Sequence, residues 1–489
     1  MYILFICPPW IKKSGNIWKN ITAVMPPLGM ATIAACLEKE GHSVKILDTL
    51  AMRIAMDDLK NYLQTYYKEE PDFIGLTGTT VTISFTYQTA QICRELYPKT
   101  KIILGGVHAS EKPHEAINHN SVDYVVRGEG EFTFLDIIQG KELGQIKGLT
   151  YRENGKIIDN PDRELIPNLD ILPTPAYHLL PIKRYYPTAG TNKKMPAISV
   201  ITSRGCPGKC TFCYQPYGSL QRQRSPKKIY EEIEYLVNNF GIKEICFYDD
   251  NFTTQKPRIR ELCQMMIDKG MNKRIVWSCF SRVDWADISL LKIMKQAGCH
   301  QIMYGIESGD QNILDNIKKQ VTLDKIRKSI QWTKEAKIDV RATFMFGNPG
   351  ETEQSMKKTI DFAIEIDPEF VVFNVASPNP GTEMYEWAVK NDMLKSEKWE
   401  EYDLTTPTLK LPTVSNEKIK EYYRLGYRRF YLRPSYMLKK LLRVRNLSDI
   451  QNILRGFKGV INVVHTNSIL TPRQNVSDVA LTSEAQSIT

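Results

Sequence analysis

The chain has 489 residues, 65 Lys and Arg against 55 Asp and Glu, and a net charge of +10, with 42% hydrophobic and 25% charged residues. That composition is ordinary for a globular protein, and the length asks for two or three domains. No run approaches the ~18 to 20 apolar residues of a membrane span, and ten cysteines with no secretory leader argue against a disulfide framework and for a reducing, low-oxygen cytoplasm.

Met1 to Cys7 lacks a basic leader and a small-residue cleavage site and reads as a first strand. Residues 1–140 then alternate strand and helix signals, as in a doubly wound parallel sheet. The strands are Tyr2 to Ile6, Ser43 to Leu47, Asp72 to Leu76, Lys101 to Leu104 and Val122 to Val126. The helices are Pro27 to Lys39, Met56 to Tyr67, Phe85 to Leu96, Pro113 to Asn118 and Glu131 to Ile138. Five such units predict a flavodoxin-like layout, with ligands beyond the carboxyl ends of the strands. Those ends are rich in glycine and small residues: Gly75 to Thr80 (including Thr77 and Thr79), Gly105-Gly106-Val107-His108, and Gly128-Glu129-Gly130-Glu131. Glycine there lets backbone approach a large flat ligand or a phosphate; plain tight turns are the alternative.

Residues 145–196 read as a connector, with a hairpin turn at Asn154-Gly155 followed by Pro161, Pro167, Pro173, Pro175 and Pro181. Alternation resumes over 197–385. Candidate strands are Ile198 to Ser203, Lys243 to Tyr248, Arg274 to Cys279, His300 to Ile306, Asp339 to Phe346 and Phe370 to Val375. Six units predict an open, partial (β/α)6 TIM barrel whose active residues lie at the carboxyl ends of its strands.

The first of these strands runs into Ser203-Arg204-Gly205-Cys206-Pro207-Gly208-Lys209-Cys210-Thr211-Phe212-Cys213-Tyr214. Three thiolates spaced C-x3-C-x2-C can hold three irons of a 4Fe-4S cubane and leave the fourth iron open to a chelating ligand. Zinc is the alternative. It takes four ligands, usually as two pairs, and no second C-x2-C or His pair follows. Cys246, Cys263, Cys279 and Cys299 fall on apolar patterns and read as core.

Residues 386–465 turn helical and basic; 417–458 hold twelve Lys and Arg against three acids. Solvated helix faces over a core that includes Tyr422, Tyr423, Phe430 and Tyr431 are the bland reading. Peripheral membrane contact through Tyr436, Met437, Leu438, Leu441 and Leu442 is the alternative, and nucleic acid is disfavoured by the absence of a recognition module. Thr466 to Thr489, rich in Ser and Thr, reads as a disordered tail.

The cysteine loop resembles the signature of the radical S-adenosylmethionine (SAM) superfamily. Pro26-Pro27-Leu28-Gly29, Gly41-His42 and the two glycine-rich strand ends at Gly105 and Gly128 resemble the cobalamin-binding domain fused to many such enzymes. The resemblance implies a 4Fe-4S cluster on Cys206, Cys210 and Cys213, and SAM held near Phe212, Tyr214, Glu307, Ser308, Gly347, Asn348 and Pro349. An arginine, Arg282 or Arg341, would take the SAM carboxylate. Cobalamin would meet Gly75, Thr77, Thr79, Gly105, Gly106, His108, Gly128, Glu129 and Gly130. The cobalt-ligating D-x-H-x-x-G loop is absent, its place taken by Cys7 to Lys13. The family implies methylation of an unactivated carbon, with one SAM as methyl source for cobalamin, a second as radical source, and a flavodoxin- or ferredoxin-type electron donor. Radical ring formation, as in enzymes resembling the anaerobic magnesium-protoporphyrin monomethyl ester cyclase, is the runner-up. A sensor without turnover is the reading from another class. Substrates of the lipid, tetrapyrrole or acidic natural-product kind are all consistent, with a lean toward a lipid.

Overall fold

The computed structural model describes residues 1–10, 23–188 and 191–442. The expectations for Ile11 to Lys13, for 443–465 and for the Ser/Thr-rich end lie outside the described residues.

Five strands form the parallel part of the first sheet: β1 (Tyr2–Cys7), β2 (Ser43–Asp48), β3 (Phe73–Thr77), β4 (Lys101–Gly105) and β5 (Tyr124–Val126). Their order, β2-β1-β3-β4-β5, is the flavodoxin-like one. The hairpin expected in the connector instead extends this sheet. β6 (Leu149–Glu153) pairs antiparallel with β5, and β7 (Lys156–Asp159) pairs with β6. Asn154 and Gly155 take the left-handed conformations that the two-residue turn requires.

The proline-rich segment crosses to the second unit in three 3-10 turns. It is pinned to both units: the Tyr185 hydroxyl donates to Asp48 at the end of β2 (2.9 Å), and the Tyr177 hydroxyl donates to Glu232 (2.6 Å) on the barrel's first helix. That helix, Pro226–Phe240, starts at the Ser225 cap and Pro226 and ends at the left-handed Gly241.

The barrel has six parallel strands, β8 (Ala197–Val200), β11 (Glu244–Phe247), β12 (Val276–Arg282), β13 (Cys299–Glu307), β14 (Asp339–Phe346) and β15 (Phe370–Val375), in sequential order and open between β15 and β8. Period-two alternation sorts each strand. In β14, Val340, Ala342 and Phe344 are buried against the helices, whereas Arg341 and Thr343 face the lumen half-buried. Between β8 and β11 the chain makes a ribbon of β9 (Ser203–Arg204) and β10 (Arg222–Gln223), two residues each and too short to leave a sequence signal.

The helix Asn416–Tyr431 covers the free edge of β15. The Tyr427 hydroxyl accepts from the Phe373 amide (3.2 Å) and donates to its carbonyl (3.1 Å). Tyr431 does the same with Val371, at 3.0 and 2.6 Å. Two tyrosines one turn apart thus satisfy an edge that a further strand would otherwise have to pair.

Candidate active site

The cysteine loop hangs from the β9–β10 ribbon. Gly205, at φ +90°, starts the turn, and a Cβ there would lie 2.5 Å from the Leu220 carbonyl. Inside the loop the Cys206 amide donates to Gly218 (3.3 Å), the Cys213 amide to Cys210 (3.1 Å) and the Thr211 amide to Ile317 (3.1 Å). All three cysteines are free thiols, and Cys213 is exposed. Among the described residues no three His, Cys, Asp or Glu side chains converge on a single-ion site. A cubane asks for no such convergence, because each of its irons takes one thiolate. Three soft ligands on one loop fit that group.

Arg282, at the end of β12, reaches this loop: Nη1 donates to Cys210 Sγ (3.6 Å) and Nη2 to the Lys319 carbonyl (2.7 Å), while Nε donates to Asp284 (3.2 Å). With its nitrogens so engaged, Arg282 is not free to clamp a SAM carboxylate, contrary to one of the two expectations. Arg341 makes no hydrogen bond or ion pair among the described residues. Burial in the lumen lowers its pKa, and the neighbours that oppose this are tyrosines and a cysteine instead of a carboxylate. It is the arginine available to an anion.

Glu307 stands at the end of β13, with φ +72° and Oε1 2.9 Å from Lys319 Nζ. Ser308 differs from expectation. It is fully buried, its hydroxyl lies 3.1 Å from Thr359 Oγ1 and accepts from the Asp310 amide, so it packs a helix and does not face the lumen. Gly347, at φ +80°, opens the turn after β14. Asn348 is buried there, donating to the Met345 carbonyl (2.8 Å), and the Pro349 carbonyl accepts from Asn316. Phe212 packs half-buried against the core with its ring toward Lys319.

A cleft of about 500 Å³ opens where the two sets of strand ends meet. The first sheet contributes Trp10 after β1, Thr79 to Val81 after β3 and Val107 after β4; the barrel contributes Tyr214, Asn379 and Pro380; Tyr402 to Leu404 close one side. β1 and β3 flank the point where the strand order reverses, where doubly wound sheets bind their ligands. Gly106 has φ +94°, and a Cβ there would strike Thr77 Oγ1 at 2.5 Å and the Gly78 carbonyl at 2.9 Å, so its smallness lets the β3 and β4 ends approach each other. Gly105 is half-buried beside it, Gly128 (φ +70°) has open space, and Thr79 is exposed at the cleft. A flat ligand such as cobalamin fits the open edge that Trp10, Thr79 and Val107 line.

Four of the expected cobalamin contacts have other partners within the chain. At Gly75 a Cβ would overlap the Phe5 ring at 2.3 Å, so its smallness serves the core. His108 is 1% exposed and lies 3.3 Å from both Thr80 and Glu115, with Trp399 against its ring. Glu129 holds the domains together. Its carboxylate accepts from Arg204 (2.7 Å), Arg222 (2.8 Å) and the Ile166 amide (2.6 Å), the two arginines being the ribbon under the cysteine loop. Burial raises its pKa, but those hydrogen bonds outweigh burial and hold it below the usual glutamate value. Gly130 packs its missing side chain toward Ile33, 3.1 Å from a Cβ placed there.

Sequence reasoning missed Lys319, Glu111 and the 399–404 segment. Glu111 accepts from the Tyr214 hydroxyl (2.7 Å), and its carboxylate lies where a Cβ on Gly381 would be, so it ties the cluster loop and the barrel to the β4 side of the first sheet. Trp399 Nε1 donates to Glu115 (3.1 Å) from 284 residues away. Pairings so distant leave no local signal.

A doubly wound sheet and a partial barrel, opening strand end to strand end on one cleft beside a three-cysteine loop, make an α/β enzyme with a cofactor site on each domain. The B12 binding domain family matches residues 17–138, and the Radical SAM superfamily matches 200–363. An uncharacterized methyltransferase of Pyrococcus horikoshii is 34% identical over 95% of this chain and 99% of its own. The anaerobic magnesium-protoporphyrin IX monomethyl ester cyclase of Cereibacter sphaeroides is 27% identical over 89% of this chain and 71% of its own. The fold is similar to that of the radical SAM methyltransferase TsrM from Kitasatospora setae, solved with cobalamin and a 4Fe-4S cluster bound. The TM-score is 0.69 at 16% identity, covering 94% of this chain and 98% of that one. The chain belongs to the radical SAM enzymes that carry a B12-binding domain, and its cofactors are a 4Fe-4S cluster, SAM and cobalamin.

Proposed function

We propose that this enzyme transfers a methyl group to an unactivated carbon of a small molecule held in the cleft between its two domains. The observation that carries this is the cleft itself, lined by strand ends of both domains and by Tyr214, the residue after the last cluster cysteine. Bound there, the cluster with SAM supplies a 5'-deoxyadenosyl radical and cobalamin supplies the methyl group.

Cys206, Cys210 and Cys213 hold the cluster and leave one iron open. Arg341, the unpaired lumen guanidinium, takes the SAM carboxylate. Glu307, paired with Lys319 through Oε1, would meet the SAM ribose or amino group, while the Tyr214 backbone and the turn Gly347–Pro349 face adenine. On the other side, Thr77, Thr79, Gly105, Gly106 and Gly128 present backbone and hydroxyls to cobalamin. With the cofactors bound, the cleft walls Trp10, Val81, Val107, Tyr214 and Tyr402 would screen a reactive centre from water. The electron comes from a flavodoxin- or ferredoxin-type donor in a reducing cytoplasm.

The reconstituted enzyme turning over its substrate should release S-adenosylhomocysteine and 5'-deoxyadenosine together; 5'-deoxyadenosine alone favours the ring-forming chemistry for which the cyclase relative is named. Without substrate, reduced enzyme should still cleave SAM slowly and Cys210→Ala should not, an outcome a sensor need not give.

Contact with an anionic membrane surface is supported by Met437, Leu438 and Leu442, which are 39%, 59% and 78% exposed beside Arg433, Lys439 and Lys440. Liposome sedimentation of the full chain and of a chain lacking 434–458 tests it, and equal binding by the two removes the support. No helix among the described residues is long and apolar enough to cross a membrane.

A further inference from the structure

Three non-glycine residues in the left-handed region converge on one ion pair beneath the cysteine loop. Glu307 has φ +72°, and Lys319 is flanked by Lys318 at +52° and Gln320 at +56°. Strained backbone of this kind persists only where the surroundings over-determine it, and it concentrates at functional sites. Gly305 makes the room: a Cβ there would lie 2.4 Å from Glu307 Oε1 and 3.1 Å from Lys319 Nζ. The two charged groups are 2.9 Å apart, with side chains 10% and 6% exposed.

Lys319 faces the cluster ligands. Its Nζ lies 5.9 Å from the ring of Phe212, the residue between Thr211 and Cys213. Burial opposes its charge, yet the Glu307 carboxylate and Cys210 outweigh burial and raise its pKa above the ordinary lysine value. The Lys319 carbonyl also accepts from Arg282 Nη2 (2.7 Å), whose Nη1 donates to Cys210 Sγ (3.6 Å). One residue thus provides a cation through its side chain and aims a second one through its backbone.

We propose that Lys319 is a positioning residue for the cluster: with Arg282 it sets the charge on the Cys210 side and stabilises the reduced state. This rests on the reading of Cys206, Cys210 and Cys213 as cluster ligands. One-electron reduction adds a negative charge to the cluster. A buried cation beneath the loop and the Arg282 N–H···S hydrogen bond to Cys210 both favour that charge, and the Glu307 carboxylate opposes it. Stability alone does not explain the arrangement, because a buried ion pair gains little over apolar residues of similar volume.

The test is a potentiometric titration of the reconstituted holoenzyme, without SAM, followed by electron paramagnetic resonance of the reduced cluster. Lys319→Met should move the midpoint potential negative, Glu307→Gln should move it positive, and Lys319→Arg should stay near the parent value. Opposite signs separate electrostatics from a loosened loop, which would shift both in one direction. Coincident midpoints for Lys319→Met, Glu307→Gln and the parent, at equal iron content, overturn the proposal. If Lys319→Met fails to retain iron, Glu307→Gln decides: a positive shift supports the proposal and no shift overturns it. A parent protein that takes up no cluster contradicts the cluster reading itself.

Discussion

Glu351 sits behind the strand-end turn that opens at Gly347, with Oε2 accepting from the Asn348 amide (2.9 Å) and Oε1 without a partner among the described residues. Burial, opposed by the Asn348 and Gly347 amides, pushes its pKa up to about 8 from 4.5. The folded state therefore holds a proton that the unfolded chain has lost between those values. The resulting stability is fully present below about 4.5 and is lost as pH rises through about 8. Urea midpoints at pH 5.5 and 8.5 should show the parent protein losing more stability over that interval than Glu351→Gln; parallel losses would contradict the assignment. At this scale the sequence is informative only where the chemistry is local. The three cysteines announce themselves by spacing, whereas Ser308, Arg282 and Glu129 each carry the residue type a ligand contact needs. What separates them from Arg341 is pairing with residues far along the chain, such as Glu129 with Arg222, 93 residues away.

The strands of both domains and the five expected helices of the first are legible as elements, with ends that shift by up to three residues. β14 and β15 run over the expected residues, because alternation and flanking turns bound them. The hairpin at Asn154-Gly155 is legible as a hairpin but not as part of the first sheet, since β6 finds β5 across an intervening helix. The helix Asn416–Tyr431 reads as basic and amphipathic from its sequence. Nothing local reveals that Tyr427 and Tyr431 complete the β15 edge. Replacing both with Phe leaves the amides and carbonyls of Val371 and Phe373 unpaired, at a cost of about 1 to 3 kcal/mol for each site. A lowered denaturant midpoint measures it, and a midpoint equal to the parent's would mean that water replaces the hydroxyls.

The two domains are one working unit because the ribbon that carries the cluster loop is bolted to the first sheet. Arg204 pairs with Glu129 and Glu131, and Arg222 pairs with Glu129, all with side chains no more than 12% exposed. Glu129→Gln leaves buried Arg222 without its carboxylate and Arg204 with Glu131 alone, so we expect a loss of about 3 to 5 kcal/mol and weaker retention of both cofactors. Thermal unfolding and cofactor content of the variant report the two effects, and a variant equal to the parent in both would remove Glu129 from the domain interface's account. The Tyr214–Glu111 and Trp399–Glu115 contacts close the same interface on the cleft side.

If one cleft serves a cluster on one domain and cobalamin on the other, the chain should retain both through purification. The most direct measurement is iron, sulfide and cobalamin per chain in protein purified anaerobically with hydroxocobalamin. The account predicts about four irons, about four sulfides and about one tightly held cobalamin per chain. A full cluster with no retained cobalamin would contradict it and leave a radical SAM barrel beside a first domain that has lost its ligand.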